Sequence, residues 1–303
     1  MWGSGGNAAA AEVDASDSTT CLSCDTVNPP GGVLCSQCSA PLSLTHSTVG
    51  AERTPQLVTI LGDSNVGKTV YLGFLLDMLT QRARGFEAIP KGTASVNLQQ
   101  VVISHMAWRM FPPKTPMESD QWNWAYYEVC QKIQGRKDKW VDLITPDLAG
   151  EAIAAEVASP STFGIIQKLL NKSSGLLLLV DAALAANGSA QPDFFALKLM
   201  SYVDTMASQK RGKKIDKPVA IVLTKADYVP ECFDNPRKFA QANLNRLWNI
   251  CESRLNRFEF FASSVVGSIG YAMSEADGVV TPVPLHTALH GVLEPFEWIV
   301  NNL

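Results

Sequence analysis

Three observations predict a three-layer α/β fold with a mainly parallel sheet. From Gln56 onward, short apolar and β-branched runs alternate with helix-length amphipathic segments. This is the pattern of parallel strands joined by crossover helices that cover both faces. Gly175-Leu-Leu-Leu-Leu-Val180 is an unbroken apolar run, too short for a bilayer and right for a strand buried on both sides. Residues 62–69 read Gly62-Asp63-Ser64-Asn65-Val66-Gly67-Lys68-Thr69, a G-x-x-x-x-G-K-T loop between the strand-like run 56–61 and the helix-like run 70–80.

The elements follow in order. Residues 1–20 are rich in Gly, Ala and Ser with almost no bulky apolar residues, so disorder is expected there. Residues 21–42 hold four of the seven cysteines, and 43–55 are small and polar, a linker. The remaining span, 56–303, reads as one large domain. Strands are predicted at 56–61, 122–130, 139–146, 175–181, 218–224 and 257–262. Helices are predicted at 68–82, 162–172, 192–208, 236–256 and 286–302. Ligands of such sheets bind at the carboxyl ends of the strands.

Each fixed position of the 62–69 loop has a task. The glycines allow the backbone N–H groups of Gly62 through Val70 to curl round a di- or triphosphate. Lys68 neutralises β and γ oxygens, and the Thr69 hydroxyl reaches Mg²⁺. The following helix start favours anions.

Two further loops end strands. Val141–Pro146 runs into Asp147-Leu148-Ala149-Gly150-Glu151. An acid there can hold Mg²⁺, and the Gly150 N–H can meet a terminal phosphate. Pro218–Leu223 runs into Thr224-Lys225-Ala226-Asp227. A carboxylate at Asp227 accepts two N–H bonds from a guanine edge, which adenine cannot supply, while the Lys225 stem covers the base. After Phe258–Phe261, the small residues Ser263 and Ser264 let backbone N–H groups approach the guanine carbonyl.

Taken in order, these four signals resemble the Ras-like (TRAFAC-class) P-loop GTPases, across residues 56–303. The closing segment His290-Gly-Val-Leu-Glu-Pro-Phe-Glu-Trp-Ile299 is similar to that of bacterial double-GTPase proteins of conflict and defence gene clusters. The resemblance implies GTP and GDP as ligands, Mg²⁺ as cofactor and a three-layer P-loop fold. It also implies a switch threonine that orders on Mg²⁺ when a γ-phosphate is present. Thr115 in Phe111-Pro-Pro-Lys-Thr-Pro116 is the candidate and Thr93 the runner-up, within a first switch region, 84–121, that must absorb the extra length between Lys68 and Asp147.

Two positions modify the expectation. Glu151 stands where these GTPases usually carry the Gln that orients the attacking water. A carboxylate accepts from water but donates no amide N–H and adds negative charge. Slow hydrolysis, or activation by a supplied cation, follows, and Glu151 is equally readable as an acid at a helix start. Asn65 matches the residue that helps hold K⁺ in potassium-activated relatives, although Asn also suits tight turns. Trp108, Trp122 and Trp124 read as packing residues rather than a base-stacking platform.

Cys21-x-x-Cys24 and Cys35-x-x-Cys38 resemble a small zinc ribbon, with four thiolates closing a tetrahedral Zn²⁺ site. The metal must supply the folding energy of so small a module. The glycine often found after each knuckle is replaced by Asp25 and Ser39, which questions how tightly the turns close. No Lys or Arg lies between Cys21 and Cys38, which argues for docking to protein and against nucleic acid. Cys130, Cys232 and Cys251 read as small core residues.

A net charge of -4 likewise argues against general nucleic-acid or acidic-membrane binding. With no membrane-length apolar run and no basic, apolar leader, a soluble cytoplasmic protein is expected. The expected function is a guanine-nucleotide switch hydrolysing GTP to GDP, its ribbon or switch regions meeting a protein partner. Its catalytic set is Lys68, Gly150, Glu151 and Thr115. The alternatives are a nucleotide-holding scaffold with little hydrolysis, an ATPase, and, least favoured, a nucleic-acid adaptor.

Overall fold

The structure is a computed structural model that describes residues 18–46, 56–132, 135, 138–207, 214–273 and 280–303. Of the expected disordered stretch 1–20, residues 1–17 lie outside the described residues, as does most of the expected linker, 43–55, whereas Thr19–Thr20 are a strand.

The N-terminal module is a two-stranded hairpin, β1 (Thr19–Thr20) and β2 (Val27–Asn28), followed by helix α1 (Leu42–His46). The module therefore extends past Leu42, because Leu42 and Leu44 are buried beside the cysteines. The main body opens with β3 (Leu57–Gly62) and α2 (Lys68–Thr80). Strand β4 (Phe86–Pro90) and helix α3 (Gly92–Ala107) then occupy much of the segment read as an extended switch. They are an inserted pair, with Phe86, Leu98 and Val102 packed into the core.

Next come β5 (Trp124–Gln131), β6 (Lys139–Pro146), α4 (Gly150–Ala158), α5 (Gly164–Lys172) and β7 (Ser173–Asp181). They are followed by α6 (Ala182–Ala186), α7 (Gln191–Ala207), β8 (Val219–Thr224) and α8 (Pro230–Asp234). The chain closes with α9 (Pro236–Asn243), α10 (Asn245–Arg254), β9 (Phe258–Ala262), β10 (Ser264–Met273), β11 (Val280–His290) and α11 (Glu294–Asn302).

Strands β3, β7, β8 and β9 form a parallel sheet in the order β3-β7-β8-β9. Antiparallel β4-β5-β6 continues beyond β3, with β6 packed beside it. The buried strands alternate between the two faces. Leu176, Leu178 and Val180 join one core cluster with Ile221, Leu223 and helices α4, α5 and α7. Leu177 and Leu179 join the other, with Val58, Ile60, Val222, α2, α3 and α11. An apolar residue at every position serves both layers, which is why the run shows no polar alternation.

Two expected helices are corrected. The run 236–256 is two helices, because Leu244 leaves helical geometry (φ −130°, ψ 50°) to bury its side chain. Asp193 of α7 then accepts the N–H groups of Arg246 and Leu247 and caps the new start. The run 286–302 is helical only from Glu294, where Pro295 occupies the first turn. Its first part belongs to β11, paired along its length with β10. The loop expected after β9 is thus a long hairpin.

Candidate functional site

The phosphate loop runs from the end of β3 to the start of α2. Asn65 (φ 60°) and Gly67 (φ 93°) take left-handed conformations that curl the chain, and Gly67 caps α2. Lys68, 8% exposed, donates to the Asp63 carbonyl at 2.6 Å. Burial pulls its ammonium down to about 8, against the opposing pull of Asp147, Glu151 and Asp63. An ammonium held in so dry a place, with one backbone acceptor, is matched to an anion.

Thr69, Thr115 and Asp147 converge at the mouth of this loop. The Thr69 hydroxyl lies 3.0 Å from both Asp147 oxygens and 3.1 Å from Thr115 Oγ1, and Thr115 donates to Asp147 Oδ2 at 2.8 Å. Burial raises the Asp147 carboxyl, while the two hydroxyls and Lys68 hold it down. Hard oxygen donors on three separate segments suit Mg²⁺, with open positions for water and phosphate. Thr93, the runner-up, lies exposed in the first turn of α3 and does not line the cleft.

Gly150 sits against the phosphate loop itself. A Cβ there would fall 2.3 Å from Ser64 N and 2.5 Å from the Asp63 carbonyl carbon. No other residue permits this approach. Glu151, the next residue, accepts from Ser64 Oγ at 2.5 Å and lies 3.7 Å from Lys114 Nζ. The Ser64 hydroxyl chiefly, with Lys114 and Lys68, keeps its carboxyl below the usual glutamate range. Glu151 is a charged group aimed at the phosphate loop.

At the other end of the cleft, Thr224 ties β8 to the loop by donating to the Val66 carbonyl at 2.9 Å. Lys225 (φ 56°) turns the chain, and its Nζ meets Asp181 Oδ2 at 2.5 Å. Ser264 donates to Asp227 Oδ1 at 2.7 Å and fixes that carboxylate. The Ser263 hydroxyl is buried with no hydrogen-bond partner among the described residues.

Together these walls enclose a cleft of about 580 Å³. Ser64 through Val70, Thr115, Gly150, Glu151, Thr224, Lys225, Asp227 and Ser263 line it directly. Gly62, Asp63, Asp147 and Ser264 stand behind that surface. Sequence reasoning missed Lys114 and Tyr228, and it missed Val265, Val266, Ile269 and Pro282 of the hairpin, which wall the base end. The β-branched pair Val265-Val266 was the one available signal for β10.

Residues 59–196 match the model of the family described as Double-GTPase 1. That match spans less than half of the chain and, with the parallel sheet and its covering helices, supports a P-loop GTPase fold. Similar solved structures include the Arl6 BBS3 small GTPase of Trypanosoma brucei with a bound nucleotide analogue, GppNp, at 14% identity and TM-score 0.40, covering 82% of this chain and 96% of that one. The GTPase-like domain of S. cerevisiae Ski7, bound to GTP, shares 18% identity at TM-score 0.38, covering 72% of this chain and 44% of that one. The cytosolic domain of the T. maritima FeoB iron transporter, in a GDP form, shares 14% identity at TM-score 0.36, covering 82% and 63%. No curated protein matches.

A second site lies beside the GTPase domain. The sulfurs of Cys21, Cys24, Cys35 and Cys38 all fall within 4.8 Å of one another, the shortest pairs at 3.5 and 3.6 Å. Tetrahedral zinc thiolate, with Zn–S near 2.3 Å, sets sulfurs about 3.8 Å apart, so the donor set fits Zn²⁺. The two knuckles repeat each other. Asp25 N–H bonds to Cys21 O and Ser39 N–H to Cys35 O, both at 2.9 Å. Asp25 (φ 61°) and Ser39 (φ 55°) take the left-handed turn that glycine usually supplies, so the turns close without it. The cysteines share a buried cluster with Leu57, Leu169 and Leu170 of the GTPase domain. Lys172 of α5 also donates to the Leu22 carbonyl at 2.6 Å and meets Asp25 at 2.5 Å.

The three tryptophans divide. Trp122 and Trp124 are buried, whereas Trp108 is 77% exposed and packs into no core. Cys130, Cys232 and Cys251 are buried. Among the described residues no helix is long and apolar enough to cross a membrane.

Proposed function

We propose that this protein binds a guanine nucleotide and hydrolyses GTP to GDP. The observation that carries the reading is the meeting of Thr69, Thr115 and Asp147 oxygens beside Lys68, at one end of a cleft whose other end holds Asp227. Phosphates rest in the loop N–H groups of 62–70 and against Lys68, while Asp227 accepts from the guanine edge and the Lys225 stem covers the ring. Thr69, Thr115 and Asp147 would hold Mg²⁺, which when bound neutralises charge on the β and γ oxygens. Gly150 presents its N–H to the γ-phosphate, and Glu151 accepts from the attacking water. Loss of the γ-phosphate then frees the segments round Thr115 and after Asp147.

The domain plan proposed is a zinc ribbon seated on a GTPase domain of residues 56–303. Val27, Val33 and Leu34 of the ribbon are exposed and apolar, which supports a protein partner on that face. The lack of basic residues there speaks against nucleic acid.

Multiple-turnover phosphate release from GTP tests the reading, with Lys68→Ala as the blank. Release by the wild type above the blank supports it, and competition by GDP but not ADP separates it from an ATPase. Glu151 in place of Gln favours one second reading, a nucleotide-holding scaffold. In that case the protein retains GTP and releases no phosphate above the blank. Equal rates in Na⁺ and K⁺ would remove a potassium role at Asn65.

A further inference from the structure

In GTP hydrolysis negative charge builds on the leaving β–γ bridging oxygen and stays spread over the γ oxygens, and efficient GTPases meet it with a cation beyond the loop lysine. Among the described residues lining the cleft, the cationic side chains are Lys68, Lys114 and Lys225. Lys225 is engaged by Asp181 at the base end, and Lys68 is the loop lysine itself. Among the described residues no arginine lines the cleft. Of the described residues, Lys114 is therefore the one remaining cation at the phosphate end. It lies 3.7 Å from Glu151, whose carboxylate bridges it to Ser64 of the phosphate loop.

The backbone round Lys114 is held in place, while its side chain is 72% exposed and free to swing. Pro112 and Pro113 stiffen the chain before it. Thr115, directly after it, is tied to Thr69 and Asp147. Beyond that, the indole N–H of buried Trp122 donates to the Pro116 carbonyl at 2.9 Å. So constrained a backbone loses little freedom when the lysine it carries meets a phosphate.

We infer that Lys114 is a catalytic residue, an ammonium finger supplied by the chain itself that moves from Glu151 to the γ-phosphate when GTP is bound. This rests on the GTPase reading above. Water oxygen bonds to the γ-phosphorus as the β–γ bridging bond breaks, and that bond's electron pair leaves on the GDP β-phosphate. The water proton passes to a phosphoryl oxygen and then to solvent. Lys114 remains an ammonium throughout, paired with the charge that builds, and Glu151, released from it, is free to accept from the water.

The experiment combines single-turnover GTP hydrolysis with binding of fluorescent GDP in the presence of aluminium fluoride, a mimic of the transferring group. Both use the full chain carrying Lys114→Ala, Lys114→Arg and Lys114→Ala/Glu151→Gln. The expected result is a loss of roughly 10²-fold or more in hydrolysis for Lys114→Ala, with loss of the aluminium-fluoride complex and GDP affinity held within about threefold. Lys114→Arg should recover most of the rate and the complex. The loss must persist in the double variant, because a lysine that only neutralised Glu151 would be dispensable once that charge is gone. Hydrolysis by Lys114→Ala within about twofold of wild type, or dependence of the wild type on K⁺, would overturn the finger while leaving the GTPase reading intact. A wild type no faster than Lys68→Ala would overturn both.

Discussion

Thr115 donates to Asp147 at 2.8 Å across a gap that spans β5 and β6 in the sequence, and Thr69 meets the same carboxylate. Two hydroxyls crowd round one buried carboxylate. Replacing the charge with an isosteric amide would remove the proposed anionic ligand of Mg²⁺ and leave one acceptor oxygen for the two hydroxyls. Asp147→Asn should therefore raise the Mg²⁺ concentration needed for half-maximal GTP binding by about tenfold or more. Thr115→Ala should weaken a non-hydrolysable GTP analogue by about tenfold and GDP by less than threefold. Fluorescent-nucleotide titrations against Mg²⁺ read both. Equal losses for the two nucleotides would mean that Thr115 does not sense the γ-phosphate.

The parts of this site legible in the sequence are those made by consecutive residues. The 62–69 loop, Asp147 to Gly150, and Thr224 to Asp227 each follow a strand whose apolar run is unmistakable, so local pattern and position agree. Thr93 and Thr115 are the two threonines of 84–121, and the fold brings Thr115, not Thr93, to Asp147. The inserted β4–α3 pair was not legible, because Gly92 and an uncharged, weakly amphipathic run hide α3. The β10–β11 hairpin was hidden for a related reason. Gly267 and Gly270 dilute its β pattern, yet they leave the room that His286 and Leu285 occupy across the strands. Lys114 and Asp181 gain meaning only from partners far away in sequence, Glu151 and Lys225.

The ribbon's cysteines share one buried cluster with β3 and α5. Metal loss should therefore reach beyond the ribbon. The protein should contain one zinc per chain, and Cys21→Ser should abolish it. Either that variant or exhaustive chelation should lower the melting temperature by about 5 °C or more. Lys172→Met keeps the metal but cuts the tether to Leu22 and Asp25. It should loosen amide protection in α5 while zinc content stays whole. Full zinc content in Cys21→Ser would contradict the four-thiolate site.

Asp227 is fixed by the Ser264 hydroxyl, and that bond leaves its other oxygen and the remaining lone pairs for a base. Guanine offers two N–H donors to such a carboxylate, whereas xanthine offers one donor and one acceptor. Asp227→Asn, with one donor and one acceptor, should weaken GTP by roughly 10²-fold and bring XTP binding level with it or above. Ser264→Ala should cost GTP about tenfold or less, since the carboxylate stays but is less well aimed. Competition between the two triphosphates for a fluorescent probe gives both numbers. An unchanged GTP preference in Asp227→Asn would sever the carboxylate from base recognition.

The β10–β11 hairpin lends Val265, Val266, Ile269 and Pro282 to the cleft wall. On the proposed placement of the base, an apolar wall there would exclude water from its hydrogen bonds to Asp227, and breaking it should speed escape more than it slows entry. Ile269→Asp places a charge in that wall without touching either main core cluster, of which Ile269 is not a member. It should raise the dissociation rate of fluorescent GDP by about tenfold while the association rate changes less than threefold. Tyr271 lies two residues further out on the same strand and is 76% exposed, so Tyr271→Asp controls for charge on the hairpin and should leave both rates alone. Stopped-flow chase with excess unlabelled GDP makes the comparison. If Ile269→Asp and Tyr271→Asp release GDP equally fast, the hairpin borders the cleft without holding the nucleotide in it.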